Sequence, residues 1–224
     1  MSVCCSGFCA AAEHQFDARR AARDLSRYRK KGPDVTTRLL RDGVKAAAPP
    51  RGTLLDVGAG IGPLTFELLE AGLESAISVD ASPASLAAGS DEAARRNRSQ
   101  QVEWHRGDFV SLGKELPRAD IVTLDRVVCC YPAFEPLLGE ALAHARRCLA
   151  LSYPRNRWYV RSGISLENTL RRVRRKPFRA FVHAPSSMEA FVRARGFDLV
   201  SRRSTLAWCA DVYVMGRHVQ SSPL

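Results

Sequence analysis

The 224-residue chain contains no apolar run near the roughly 20 residues that a membrane-spanning helix needs, which excludes an integral membrane protein of the helical type. Nor does it begin with a basic stretch leading into an apolar one, the pattern of a secretory leader, so a cytoplasmic location is expected. Internal repeats and low-complexity tracts are missing too, which argues against solenoids and disordered linkers. Acidic residues are scarce: 23 Asp and Glu stand against 34 Lys and Arg, a formal charge of +11. Such a field concentrates anions and favours an acidic partner or substrate. An Arg-rich composition from a GC-rich genome gives the same excess, so charge alone selects neither. Cysteines number seven and include no Cys-x-x-Cys pair. Cys129, Cys130, Cys148 and Cys209 fall in apolar stretches, where reduced, buried thiols are expected. The cluster Cys4, Cys5 and Cys9 offers thiolates suited to a soft ion but no fourth ligand; a frayed tail is the reading adopted, and no metal site is assigned.

What is present reads as one globular domain with decorations. Hydrophobic residues make up 46% of the chain and charged residues 25%, ordinary values for a buried core. From Thr53 onward short apolar runs alternate with helical patterns, as in a βαβ series with a parallel sheet. The runs are Thr53 to Val57, Ala76 to Val79, Val102 to His105, Ile121 to Leu124 and Cys148 to Ser152. Ser82 and Pro83 look like the cap and first residue of a helix. Apolar spacing over 134–147 predicts another helix, and one more is expected from about Ser187 to Arg195. Phe197 to Ser201 and Leu206 to Met215 read as two strands whose connection is too short for a crossover helix, so they should pair antiparallel. Residues 1–46 are expected to form a tail and cap helices, with two helices over 13–46 broken at Gly32 and Pro33. Residues 47–224 form the main domain, carrying a basic helical insert at 155–183 in which nine Lys or Arg face Glu167 alone.

The densest chemical signal is Leu54-Leu55-Asp56-Val57-Gly58-Ala59-Gly60-Ile61-Gly62, a strand running into a glycine-rich turn and then a helix. Glycines are needed there because a side chain would hold the backbone away from a bound nucleotide, and because tight turns use dihedrals that other residues resist. Pro63 occupies the place where a dinucleotide fingerprint would carry its last glycine or alanine. Asp80 closes the second strand 24 positions after Asp56, near the separation of an acid that accepts hydrogen bonds from ribose hydroxyls. Gly107-Asp108-Phe109 follows the third strand. Turn or cap roles are the structural alternatives for both acids.

Asp-x-Gly-x-Gly-x-Gly after the first strand is similar to motif I of the class I S-adenosylmethionine-dependent methyltransferases, and five parallel strands ending in an antiparallel hairpin resemble them as well. The resemblance implies an α/β fold: a Rossmann-like, seven-stranded, mostly parallel sheet with a C-terminal antiparallel hairpin and helices on both faces. It further implies S-adenosylmethionine as cofactor, held by Asp56, Gly58, Ala59, Gly60, Gly62, Asp80, Ala81, Asp108, Phe109 and Asp125. Gly58 and Gly60 would lie against the methionine and ribose parts, Asp56 would order the loop, and Asp108 would accept from the adenine amino group with Phe109 beside the ring. The fourth strand ends in Leu124-Asp125-x-x-x-x-x-Tyr131-Pro132, locally similar to magnesium-protoporphyrin methyltransferases. In the family this strand end lies between cofactor and acceptor, which implies that Asp125 and Tyr131 stand near the methyl group. His183, at the end of the insert, is the candidate base, although a lone histidine is more often structural. No Asn-Pro-Pro-Tyr or Asp-Pro-Pro-Tyr follows the strand, which argues against methylation of an exocyclic base nitrogen.

The expected activity is methyl transfer to a small acceptor, with the charge favouring an anionic one. Two other readings stay open: an RNA methyltransferase whose basic insert contacts phosphates, and a protein that binds the cofactor without turnover. Oligomeric state is not legible.

Overall fold

The computed structural model describes residues 7–47 and 51–216, with side chains from residue 11 onward. The Cys4, Cys5 and Cys9 thiols therefore lie outside the described residues. The chain opens with three helices, α1 (Gly7–Gln15), α2 (Ala18–Lys31) and α3 (Val35–Ala47). Strands and helices then alternate: β1 (Thr53–Val57), α4 (Pro63–Glu70), β2 (Ser75–Asp80), α5 (Pro83–Arg95), β3 (Val102–Arg106), α6 (Phe109–Leu112), β4 (Ala119–Asp125), α7 (Glu135–His144) and β5 (Ala145–Pro154). After these come α8 (Trp158–Val173), α9 (Pro185–Arg193), β6 (Phe197–Ser204) and β7 (Trp208–Met215).

One seven-stranded sheet runs in the order β3-β2-β1-β4-β5-β7-β6. The four pairings that join β3, β2, β1, β4 and β5 are parallel, while β7 pairs antiparallel with both β5 and β6. The period-two alternation of the strands sends neighbours to opposite layers. Leu55, Val122, Leu149 and Leu151 pack with α7 and α9 through Leu137, Leu138 and Met188. Leu54, Ile121, Cys148 and Ala150 pack on the other side against Leu40 and Val44 of α3 and Leu64 and Leu68 of α4. Tyr28 of α2, Phe66 and Ala93 extend that second layer.

The expected architecture is therefore present, and the differences are local. Three helices, rather than two, precede β1, because the Asp17 carboxylate accepts from the Arg20 backbone N–H (2.8 Å) and starts a new helix. The break at Gly32 and Pro33 stands where expected, with Gly32 at φ +72. The boundary drawn at residue 46 separates no second core: Leu40 and Val44 are fully buried against the sheet, so α3 is a core helix and only α1 and α2 cover its edge. The helix expected to reach Arg147 stops at His144, because pairing of Ala145 with Ala119 draws the following residues into β5. Among the described cysteines, Cys129, Cys130, Cys148 and Cys209 are free thiols, Cys129 and Cys148 buried and the other two partly so.

Candidate active site

The sheet order reverses between β1 and β4, and the crevice outside the carboxyl ends of such strands is the usual ligand site of an α/β sheet. A cavity of about 450 Å³ lies there, a size suited to small-molecule ligands. Its floor is the turn after β1. Gly58 and Ala59 donate backbone hydrogen bonds to the Val79 carbonyl at the end of β2 (2.7 and 3.1 Å). Gly58 and Gly60 hold φ of +65 and +59, the left-handed region open to glycine. Their reasons differ. A Cβ on Gly58 would collide with the Val127 side chain, whereas a Cβ on Gly60 would meet no protein atom within 4 Å. Gly58 is fixed by packing; Gly60 faces open cavity.

The two acids of the floor are both held by donors of the protein itself. Asp56 lies beneath the turn, 2% exposed, accepting from the hydroxyls of Thr123 and Thr65 (both 2.7 Å), and the Thr65 oxygen also pairs with Ser78 (3.0 Å). It thereby ties β1 to β4 and α4. Burial pushes its carboxyl up to about 6 against the pull of those hydroxyls. Asp80 orders the turn: one oxygen accepts from the Gly60 N–H (2.8 Å), the other from the Ser82 N–H (2.7 Å). Burial raises its pKa, and these two N–H groups oppose the rise. Each oxygen keeps a second lone pair toward the cavity that Asp80 lines.

Asp125, at the end of β4, accepts from Ser152 of β5 and from Thr37 of α3 (both 2.6 Å). Arg126 follows with φ +64, a left-handed conformation uncommon outside glycine and concentrated at functional sites. Its backbone N–H donates to Ser152 (2.8 Å) and its guanidinium to Asp34 (2.9 Å). Asp56, Gly58, Ala59, Gly60, Asp80, Ala81, Phe109, Asp125 and Tyr131 all line the cavity, so the structure brings most of the expected residues together.

Three expected residues are not on that wall. Gly62 begins α4, where a Cβ would press on Trp104 at 2.8 Å. Asp108 caps α6, its Oδ1 accepting from the Val110 N–H (3.2 Å) and from the Tyr131 hydroxyl (2.6 Å), and its Oδ2 keeps only the Ser111 hydroxyl at 3.5 Å. His183 directs Nε2 at the carbonyls of Tyr131 and Val128 (3.0 and 3.2 Å) and packs edge-on to Phe134. It is a strut that pins the end of the insert to the loop after β4, not a base in the cavity. Tyr131 does line the cavity, but burial and the neighbouring Asp108 carboxylate push its phenol far up, which keeps it neutral.

The roof comes from the cap helices and the basic insert, of whose side chains the sequence assigns only His183 to the site. Ala12, Phe16, Arg20, Asp24, Arg27 and Tyr28 close one side, and the Ser82 hydroxyl donates to the Phe16 carbonyl (2.6 Å). The insert closes the other through Val160, Ile164, Glu167, Arg171 and Phe178, and the tip between β6 and β7 adds Ala207 and Trp208. The two sides meet where Phe16 and Phe178 touch edge to face, centroids 5.7 Å apart. Arg171 pairs with Glu167 (2.6 Å) and lies over Phe178, yet its buried Nη1 has no partner among the described residues. The spacing of 160, 164, 167 and 171 marks one helical face and was the available signal.

Residues 54–151 match the family model of the methyltransferase domain. No protein of curated function matches the sequence. Magnesium protoporphyrin IX methyltransferase from Synechocystis PCC 6803 with S-adenosylmethionine bound aligns at TM-score 0.68 and 17% identity, over 96% of this chain and 100% of that one. The same enzyme with S-adenosylhomocysteine bound gives 0.67 and 19%, over 81% and 82%. An O-methyltransferase family protein from Burkholderia thailandensis gives 0.71 and 18%, over 91% of this chain and 62% of that one. The likeness that the sequence offers only around Asp125 and Tyr131 thus extends, as a fold, over nearly the whole chain.

Proposed function

We propose that this chain, whose residues 54–151 form a methyltransferase domain on the class I fold, is a cytoplasmic enzyme that methylates a small anionic acceptor with S-adenosylmethionine. One observation carries the reading: a single cavity starts at the open face of Gly60 and ends at an apolar pocket holding a guanidinium with one nitrogen unpaired. When bound, S-adenosylmethionine supplies a methyl carbon made electrophilic by its sulfonium.

The chain's own residues then have separable tasks. Gly60 lets the backbone approach the ligand, and Asp80, already fixed by the Gly60 and Ser82 N–H groups, has lone pairs left for ribose hydroxyls. Ala81 and the buried ring of Phe109 wall the adenine side, while Asp108 acts as a positioning residue through Tyr131. Asp125 holds α3 and β5 together beside the reacting centre. Val160, Ile164 and Phe178 surround the body of the acceptor, and Arg171 receives its charge.

An acceptor oxygen that arrives ionised suits this wall. Its lone pair forms the bond to carbon as the carbon–sulfur bond breaks onto sulfur, and no proton has to leave. The groups that would otherwise serve as base are occupied: the Tyr131 phenol donates to Asp108 and is held neutral, and His183 faces backbone carbonyls. Alignment and exclusion of water are what the protein contributes.

Calorimetry with S-adenosylhomocysteine tests the cofactor site. Wild type should bind, and Gly60→Val should lose binding, because a branched side chain would enter the open space at a dihedral it resists. A folded Gly60→Val protein with unchanged affinity, or no heat from wild type with donor or product, overturns the assignment.

A further inference from the structure

Helix α8 carries apolar residues on two opposite faces, and the cavity uses only one. Val160, Ile164 and Arg171 turn inward. On the other side Trp158, Leu166, Leu170 and Val173 are 79%, 62%, 47% and 76% exposed. At 100° per residue these four fall within an arc of about 120°, so they form a ridge on one face of α8, with Leu166, Leu170 and Val173 clustered and Trp158 about two turns before them. Leu206, 77% exposed at the tip between β6 and β7, lengthens it, since its carbonyl accepts the hydroxyl of Tyr159 on α8 (2.8 Å). Isolated exposed apolar side chains are ordinary, but four large ones on one helical face, with Leu206 near the start of that helix, mark an interaction surface. Nothing among the described residues covers them.

The charge around the ridge has one sign. Arg157, Arg161, Arg172, Arg174, Arg175 and Lys176 are all exposed beside it. Glu167, the one acid of the segment, is already paired with Arg171. A polar groove along the flank is lined by Arg161, Ser165, Thr169 and Arg172. No helix among the described residues is long and apolar enough to cross a membrane, so a ridge of this kind would lie along a surface rather than pass through it.

We propose that the outer face of α8 docks on the surface of an anionic lipid bilayer, with the ridge in the acyl boundary and the arginines among the headgroups. Nucleic acid fits less well, because exposed Leu and Val offer nothing to phosphates or base edges. A second copy of the chain fits less well too, because a two-fold contact would set these arginines against one another with no acid between them. The helix that roofs the acceptor pocket would then face lipid on its far side, and an amphipathic acceptor, apolar in body with one anionic group, would enter beside it from the bilayer.

The test is sedimentation of the full chain with sucrose-loaded vesicles of phosphatidylcholine, with and without phosphatidylglycerol. Binding should require phosphatidylglycerol and weaken with salt. It should fall by more than about tenfold in the triple variant Leu166→Ser, Leu170→Ser, Val173→Ser. These side chains are exposed, so the variant should keep the wild-type melting temperature and S-adenosylhomocysteine affinity. Equal sedimentation of the folded triple variant, or no binding to the mixed vesicles, overturns the proposal. So does self-association or RNA binding that the triple variant abolishes. Cofactor affinity measured on the same samples reports separately on the methyltransferase reading.

Discussion

The floor and the roof of the cavity are built by different means. The floor is backbone and buried acid: Gly58 and Ala59 bound to the Val79 carbonyl, Gly60 to Asp80, and Asp56 locked between two threonines. Side chains make the roof, projecting from helices near the start of the chain and from the late insert, and they join where Phe16 touches Phe178. A floor of this kind cannot change without disturbing the sheet. A roof of this kind can exchange its side chains while the sheet stays as it is. The two walls of one cavity are therefore built from separate parts of the chain.

The strongest way to break this contrast is at the two cavity glycines. Gly58→Ala should lose about 2–4 kcal/mol, because the methyl group collides with Val127 and the left-handed backbone resists it. Gly60→Ala should lose only about 1 kcal/mol, from the dihedral alone, yet bind S-adenosylhomocysteine more weakly. Urea unfolding and calorimetry on both variants check the pair. Equal destabilisation would show that Gly60 is also a packing residue.

A second test uses the pH dependence of the floor. Asp56 has a folded value near 6 against an ordinary 3.8, so between those values the folded protein keeps a proton that the unfolded chain has lost. Stability should therefore fall as pH rises from about 4 to about 6, by on the order of 2 kcal/mol, and level off above that window. Asp56→Asn should lack the decline, since the Thr65 oxygen can turn to accept from the amide while donating to Ser78. Urea midpoints of both proteins at pH 4.5 and 7 decide it; parallel curves would show that Asp56 is not the group responsible. The smallest effect on stability belongs to the roof. Phe16→Ala, at a partly exposed ring, should cost about 1 kcal/mol or less while weakening acceptor or S-adenosylhomocysteine binding severalfold. A large drop in melting temperature would mean that the roof is part of the core.

The same contrast explains what the sequence reveals. Strand alternation, the glycine turn and the short link after Ser201 specify the sheet, the site's position and the closing hairpin, because each is local in the chain. The helix over 134–147 overran because Ala145 continues its apolar spacing, and only the distant strand β4 claims that residue for β5. Acids at strand ends are legible as acids, but not the direction of their oxygens; hence Asp80 rather than Asp56 holds the turn, and Asp108 holds Tyr131. Thr37 against Asp125 and Arg171 on the cavity wall depend on packing between segments far apart, which leaves only faint periodic traces.

The strand order has a further consequence for how the chain is made. β7 follows β6 in the chain, yet it sits inside the sheet, with β5 on one side and β6 on the other. Until it emerges from the ribosome, β5 presents an open edge, and β6 has no neighbour to pair with. Asp211 of β7 then completes the closure, binding Tyr153 of β5 and Arg202 of β6 (both 2.7 Å). A stop codon just ahead of Trp208 would thus remove two strands from the sheet rather than one, since β6 joins the sheet only through β7.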